Sequence, residues 1–283
     1  MVEQTEPEKR SIPLTGLIGA PVAQSRSPKI HAHWLHAHGL EGYYIPLEVS
    51  HHDLADTLRM LPRLGFVGVN VTMPHKERVL DFVDQVSDQA SLIGAANTLA
   101  FRRDGGVSAD NTDAYGFIEN LRQTAPQWQA KAGAVVVLGA GGAARAVVVA
   151  LLDAGVEQIL IVNRTRARAE RLQKDFGARL SMLSWVQAAE ALQDCALLVN
   201  TTSLGMVGHP PMPLSLDGLH PTAVVCDLVY SPLRTKLLQA AHNKGHATVD
   251  GLGMVLHQAA PAFEKWFGIR PTVDETIRKI AHK

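Results

Sequence analysis

Two short stretches hold side chains capable of chemistry. Asn70-Val-Thr72-Met-Pro74-His-Lys76 ends in a lysine, and Ala109-Asp110-Asn111-Thr112-Asp113 crowds polar residues where a helix should begin. Pro74 is expected to fix the first turn of a helix, with Met73 extended before it. Lys76 then lies against the positive end of the helix dipole. A lysine placed there either runs its stem along the surface or has a task, and proton transfer is the task that suits it. In the second stretch Asp110 or Thr112, taken alone, reads as an N-cap. A third stretch, Gly139-Ala140-Gly141-Gly142-Ala143-Ala144, points to a ligand that carries phosphate. Gly139 permits a tight turn, Gly141 lets backbone approach a pyrophosphate, and small Ala144 lets a helix pack close to a strand.

The elements around the glycines are the ones such a site needs. An apolar β-branched run, Ala134 to Leu138, precedes them, and a helix-period segment, Ala146 to Ala154, follows. A second run, Ile159 to Val162, stops at Asn163-Arg164-Thr165. Strand, turn, helix and strand make the first unit of a dinucleotide-binding domain. An NAD site usually places Asp or Glu roughly twenty residues past the glycines, on the ribose 2′-OH. Here that position is Asn163, followed by Arg164, Thr165 and, one turn on, Arg168. Guanidinium groups bind a 2′-phosphate that a carboxylate would repel, so the expected cofactor is NADP(H). The plainer alternative is a solvated helix face made of Arg164, Arg166, Arg168 and Arg171.

Length and composition set the frame. The chain has 283 residues, enough for two domains, with 46% hydrophobic residues and zero formal charge. Nothing in that balance suggests a nucleic-acid or membrane partner. Cys195 and Cys226, the two cysteines, lie in apolar strand-like runs without metal-ligand spacing. Buried reduced thiols and a cytoplasmic location are expected. No run reaches membrane-spanning length, and the polar start Met1 to Arg10 reads as a frayed tail, not a signal peptide. His31, His33, His36 and His38 cluster on one helix, Lys29 to His38, but without cysteine or carboxylate company. That helix reads as solvated and histidine-rich, and no metal site is expected.

Further strands are expected at Leu14–Gly19, Tyr43–Val49, Phe66–Val71, from Gly94 to Ala100, Cys195–Asn200 and Ala223–Tyr230. A hairpin is expected at Asp104-Gly-Gly106. Helices should cover His52–Leu64, segments up to Ile93, and the stretch from the polar cluster to about Leu121, which links two domains. Thr201–Met206 and Tyr230–Pro232 then form loops at the rim of an open parallel sheet, where ligands bind. Asp250 opens a long amphipathic helix ending near Gly268, and a last helix follows Pro271. Gly251 and Gly253 read as a hinge or as close approach to cofactor, and His257 as a packed core residue.

Taken together, Ser25-x-Ser27-Pro, Asn-Val-Thr-Met-Pro-His-Lys76, Gly-Ala-Ala-Asn97-Thr, Asp-Asn-Thr-Asp113, Gly-Ala-Gly-Gly-Ala, Asn163-Arg-Thr, Val229-Tyr-Ser-Pro and Gly-Leu-Gly-Met254…Gln258 resemble the shikimate dehydrogenase family. The resemblance runs from about Thr15 to Phe267, in order and at similar spacing. It implies an α/β protein of two domains: an α/β substrate-binding domain, 1–112 plus 251–283, and a Rossmann-like, doubly wound parallel-sheet NADP-binding domain, 113–250. It further implies that Lys76 and Asp113 form the catalytic pair and that Ser25 and Ser27 hold a substrate carboxylate. Asn70, Thr72, Asn97, Asp113 and Gln258 would bind ring hydroxyls, and Tyr230 would line the pocket. Gly139, Ala140, Gly141, Gly142 and Ala143 match the pyrophosphate loop, and Asn163, Arg164, Thr165 and Arg168 the adenosine-phosphate clamp. Leu228 and Gly251 match positions near the nicotinamide, with Asp88 a further candidate. Ala114 departs from the family's usual Gly, which implies a small local backbone change. The implied activity is NADPH-dependent reduction of 3-dehydroshikimate to shikimate, by a monomer or a homodimer. Two other functions stay open: a quinate/shikimate dehydrogenase that accepts NAD, and a non-catalytic NADP(H)-binding regulator on the same fold.

Overall fold

Each half of the chain builds one six-stranded sheet. The computed structural model describes residues 12–283; the expected tail, Met1 to Arg10, lies outside them. In the first half the elements are β1 (Leu14–Gly19), α1 (Ser27–Ala37), β2 (Tyr43–Glu48), α2 (Leu54–Met60), β3 (Phe66–Val71), β4 (Gln85–Val86), α3 (Asp88–Ile93), β5 (Thr98–Phe101) and β6 (Val107–Asp110). Their sheet order is β2-β1-β3-β5-β6-β4. β1 pairs in parallel with β2 and β3, which requires the crossover helices α1 and α2. β3, β5 and β6 are antiparallel, β5 and β6 being joined through the expected turn at Asp104-Gly-Gly106. The two-residue edge strand β4 carries exposed side chains and no apolar alternation, so nothing in the sequence marks it.

The second half begins with α4 (Asp113–Thr124). It continues through β7 (Ala134–Leu138), α5 (Gly142–Asp153), β8 (Ile159–Val162), α6 (Arg166–Phe176), β9 (Leu180–Leu183), α7 (Trp185–Ala191), β10 (Cys195–Asn200), β11 (Val224–Asp227), α8 (Lys236–Asn243) and β12 (Ala247–Val249). All six strands are parallel in the order β12-β11-β10-β7-β8-β9. The chain leaves β7 in one direction and returns on its other side at β10. That switch point opens a crevice beyond the carboxyl ends of β7 and β10, where such sheets bind ligands. Burial on both faces explains the near-continuous apolar runs of β7, β8 and β10.

Helices α9 (Gly251–Phe267) and α10 (Glu275–His282) complete the chain. α9 lies along α4 so closely that a Cβ on Gly116 would sit 2.7 Å from the Met254 carbonyl. Phe117 and Leu121 of α4, Val147 of α5 and Met254 of α9 share one buried cluster with β7, so the two halves meet through a common core.

Several expectations need correction. No helix starts at Pro74: the chain turns through 72–77 and enters a short 3-10 turn only at Arg78–Phe82. Lys76 therefore feels no helix dipole of the kind expected. His31 is not solvated; it is fully buried and stacked on Tyr44 at 4.1 Å between ring centroids. His257 is half-buried, not packed in the core, and bonds Gln123 at 2.8 Å. Thr112 precedes α4 but makes no side-chain cap. Beyond their expected roles, Gly251 and Gly253 also permit close protein packing: a Cβ would overlap the Leu228 carbonyl in the first case and the Asn120 amide in the second. Ala114 is buried in α4, and no non-glycine residue among those described has positive φ.

Candidate active site

Lys76 and Asp113 meet, although they come from a turn after β3 and from the first residue of α4. The amine donates to the Asp113 carboxylate at 2.5 Å, with side chains only 16% and 4% exposed. Backbone bonds set both partners. The Ala96 N–H donates to the Lys76 carbonyl at 2.7 Å. The Asp113 N–H donates to Asn111 Oδ1 at 2.9 Å, and Asn111 Nδ2 to the Ala95 carbonyl at 2.7 Å. An ion pair withdrawn this far from water must have its remaining lone pairs satisfied. Asn97 Nδ2 supplies that bond, lying 2.9 Å from the other Asp113 oxygen.

Asn97 is the hub of a wider polar cluster. Its Nδ2 also lies 2.8 Å from Gln258 Oε1, and its Oδ1 accepts from the Thr112 N–H at 2.9 Å. The Thr112 hydroxyl donates to the Gln258 carbonyl at 2.9 Å, which ties the start of α4 to α9. Thr98 Oγ1 donates to Asn97 Oδ1 at 3.0 Å and accepts from Asn70 Nδ2 at 3.1 Å. Asn70 Oδ1 in turn accepts from the Tyr44 hydroxyl at 2.8 Å. The Tyr44 hydroxyl sits against Ser27, and burial raises its pKa. One chain of hydrogen bonds thus runs from Tyr44 to the Lys76 amine. Thr72 follows β3, half-buried, its N–H bonded to the Ile18 carbonyl at 2.9 Å.

Ser25, Ser27 and Tyr230 form a second group at the start of α1. Ser25 Oγ accepts from the Ser27 N–H at 3.2 Å, and the Ser25 hydroxyl lies beside that of Tyr230. Burial raises the Tyr230 pKa, while Arg26 and Ser25 pull it back. α1 has no side-chain cap and no acidic residue in its first turn. The Ser27 N–H is already bonded to Ser25 Oγ and Pro28 has none, so Lys29 carries the remaining first-turn amide donor for an anion such as a carboxylate.

The glycine loop follows β7. Gly139 has φ 115, which suits glycine, and a Cβ there would press on Thr202 at 3.1 Å. Around Gly141 no atom would lie within 4 Å of a Cβ, so that face is open. Gly141 is the N-cap of α5 and offers no side chain to the first amides. Open backbone donors at a helix start, with Ala140 and Ala143 beside them, suit a pyrophosphate. Gly142 faces the other way: its Cβ would lie 3.1 Å from Lys76 Cβ, so the loop abuts the lysine stem.

At the end of β8, Asn163 Nδ2 donates to the Thr165 carbonyl at 2.7 Å and shapes the loop into α6. α6 also lacks a side-chain cap and first-turn acids. Arg166 pairs with Glu170 at 2.9 Å, whereas Arg164 and Arg168 are exposed and make no ion pair among the described residues. Two free guanidinium groups beside uncapped amides fit a 2′-phosphate. Leu228 is packed against Gly251, and its N–H bonds the Asn200 carbonyl at 2.9 Å. Asp88 opens α3, exposed, apart from the polar network.

Sequence reasoning missed Tyr44, Thr98, Asn111 and Thr112 as parts of this network. It also missed Asp227, fully buried at the end of β11. Asp227 accepts from Asn200 Nδ2 at 2.8 Å, from the Val229 N–H at 3.0 Å and from the Thr235 hydroxyl at 2.7 Å. It thereby braces the loops that carry Leu228 and Tyr230. A carboxylate in an apolar run was the available signal. Cys195 and Cys226 are buried free thiols, burial pushing the former up to about 11.

Three family models match the chain. The shikimate dehydrogenase substrate binding domain matches residues 17–99, shikimate / quinate 5-dehydrogenase residues 121–206, and the shikimate 5′-dehydrogenase C-terminal domain residues 251–280. A shikimate dehydrogenase (NADP(+)) of Roseobacter denitrificans is 59% identical over 267 residues, 94% of this chain and 96% of that one. Shikimate 5-dehydrogenase of Thermus thermophilus, solved with NADP(H) and shikimate, is 39% identical with a TM-score of 0.83, covering 95% of this chain and 98% of that one. Quinate dehydrogenase of Corynebacterium glutamicum, solved with NAD, is 32% identical with a TM-score of 0.85, covering 95% and 96%.

Proposed function

Because the chain belongs to the shikimate dehydrogenase family, we propose that it reduces 3-dehydroshikimate reversibly to shikimate with NADPH, using Lys76 and Asp113 as its proton-handling pair. It is an NADP-dependent oxidoreductase acting on a CH–OH group. The observation that carries the site assignment is the 2.5 Å Lys76–Asp113 contact beside the glycine loop. NADPH supplies the hydride when bound; Gly139 to Ala143 would hold its pyrophosphate, and Asn163, Arg164, Thr165 and Arg168 its adenosine phosphate. Leu228 and Gly251 would border the nicotinamide.

The rest of the chemistry belongs to this chain's side chains. Ser25, Ser27 and Tyr230 would hold the substrate carboxylate end, and Asn70, Thr72, Asn97 and Gln258 the ring hydroxyls. As the ketone becomes an alkoxide, Lys76 Nζ stabilises the oxygen and delivers a proton to it. Asp113 holds the ammonium in place and accepts from a ring hydroxyl. The pair acts as a unit, because its members share one short contact.

The domain division we propose is 1–112 with 251–283 and 113–250; the first sheet ends at Asp110 and the second starts at Ala134, which supports it. No helix among the described residues is long and apolar enough to cross a membrane. A cytoplasmic enzyme fits that and the buried reduced thiols. Quinate with NAD is the competing chemistry, given the Corynebacterium relative. The absence of an acid at Asn163 and the free Arg164 and Arg168 favour NADP(H). Initial rates with shikimate and quinate, each with NADP+ and NAD+, decide between them. Shikimate with NADP+ should be fastest; a preference for quinate with NAD+, or no turnover at all, would overturn the reading.

A further inference from the structure

We propose that Arg145 is a positioning residue that clamps the nucleotide-binding half to the segment holding Lys76 and Asp113, and so sets the approach of the hydride donor to the substrate carbonyl. The proposal rests on the dehydrogenase function proposed above. Arg145 lies on α5, in the turn after the glycine loop, and is only 8% exposed. A buried cation is expensive unless paired and hydrogen-bonded. Arg145 is both. Its Nη1 contacts Asp175 at 2.8 Å, and its guanidinium lies 5.1 Å from the centroid of the Phe176 ring. Both partners belong to α6, within the same half.

The other side of the fork crosses to the first half. Nε donates to the Ile93 carbonyl at the C-terminal end of α3, where a cation also meets the negative end of the helix dipole. Room for this exists because residue 94 is glycine. Gly94 has φ 70, and a Cβ there would stand 2.6 Å from Arg145 Nη2. A planar fork can hold two directions at once in fixed geometry, which an amine cannot.

What the clamp grips matters for chemistry. Two and three residues past Ile93, the Ala95 carbonyl accepts from Asn111 and the Ala96 N–H donates to the Lys76 carbonyl. Asn111 in turn accepts from the Asp113 N–H. Arg145 is therefore joined through one short segment to the backbone of both members of the pair. The same helix begins with the loop that fits the pyrophosphate. Releasing the fork leaves every group that touches substrate or cofactor in place, but loosens their mutual distance.

The test compares Arg145→Met, which keeps the stem and loses the fork, with Arg145→Lys, which keeps the charge. Asp175→Asn serves as a milder second variant should Arg145→Met not fold. Measured quantities are kcat, KM for each substrate, the primary deuterium isotope effect with 4-deuterated NADPH, and amide exchange at Ala96. In both Arg145 variants kcat should fall about 10- to 100-fold, the scale of a sub-ångström to ångström misplacement. KM for shikimate should stay within about twofold. The isotope effect on kcat should rise as hydride transfer becomes rate-limiting, and exchange at Ala96 should quicken. An isotope effect unchanged at full or reduced rate would mean Arg145 serves stability alone and would overturn the proposal. So would restoration of wild-type kcat by Arg145→Lys, since charge and not fork geometry would then suffice. Loss of shikimate turnover in the wild-type protein would instead count against the dehydrogenase function, while exchange at Ala96 would still judge the clamp.

Discussion

The Lys76 amine and the Asp113 carboxylate stand 2.5 Å apart although the two residues are thirty-seven positions apart in the chain. Only the packing of α4 beside the turn after β3, through Ala96 and Asn111, makes that possible. Replacing the carboxylate by its amide keeps the shape and removes the charge. In Asp113→Asn one of the two donors now facing the carboxylate, Lys76 Nζ or Asn97 Nδ2, would meet an amide N–H instead. We expect kcat to fall by about a hundredfold, the usual scale for losing a positioned acid–base partner. Folding measured by circular dichroism should be retained. Activity within a few-fold of wild type would show that Asp113 is a structural partner only.

Cofactor choice is the second prediction. Arg164 and Arg168 are the exposed cations at the start of α6 that lack an ion-pair partner among the described residues. Each charge-assisted bond to phosphate contributes about 1.5–3 kcal/mol, so Arg164→Ala and Arg168→Ala should each raise KM for NADPH about 10- to 100-fold. KM for NADH should not move. Equal effects on both cofactors would mean that the two arginines support the fold and not the 2′-phosphate.

Acid sensitivity follows from His31. Burial lowers its pKa from 6.5 to about 3, and both ring nitrogens lack partners. The unfolded chain takes up this proton below 6.5 and the native state only near 3, so stability is lost as pH falls through that window. Each pH unit in it is worth about 1.4 kcal/mol. His31→Phe can keep the stack on Tyr44 without the titrating group. Urea midpoints at neutral and acidic pH should show wild type losing about 2–3 kcal/mol more than the variant by two pH units below the histidine's free value. Identical pH slopes would refute the assignment.

Much of the fold could be read in the residues because β-branched runs buried on both faces have few other solutions. β3, β8 and β10 fall where those runs end, and β7 with its glycine turn carries its own signature. Short or exposed elements left no such mark: β4 has two exposed residues, and β11 is shorter than its apolar run because Leu228 to Tyr230 turn into the rim loop. The polar network was half legible. Asn97 stood out as a polar residue inside an expected strand, and Asp113 in the polar cluster where a helix begins. Tyr44 and Thr98 looked like ordinary strand residues, because their role depends on register across sheet neighbours. His31 was misread for the same reason: helical spacing said nothing about Tyr44 and Phe263 closing over that face. The lysine's local setting was also misjudged, since the turn after β3 delays the next helical residues to Arg78.

The most direct test of the proposed chemistry is steady-state oxidation of shikimate with NADP+ by wild type and Lys76→Ala. Side-chain truncation removes the only cation seated on Asp113 among the described residues. The predicted result is a kcat lower by about 10²- to 10⁴-fold, with a much smaller change in KM. A Lys76→Ala enzyme that turns over shikimate at a near-normal rate would contradict it.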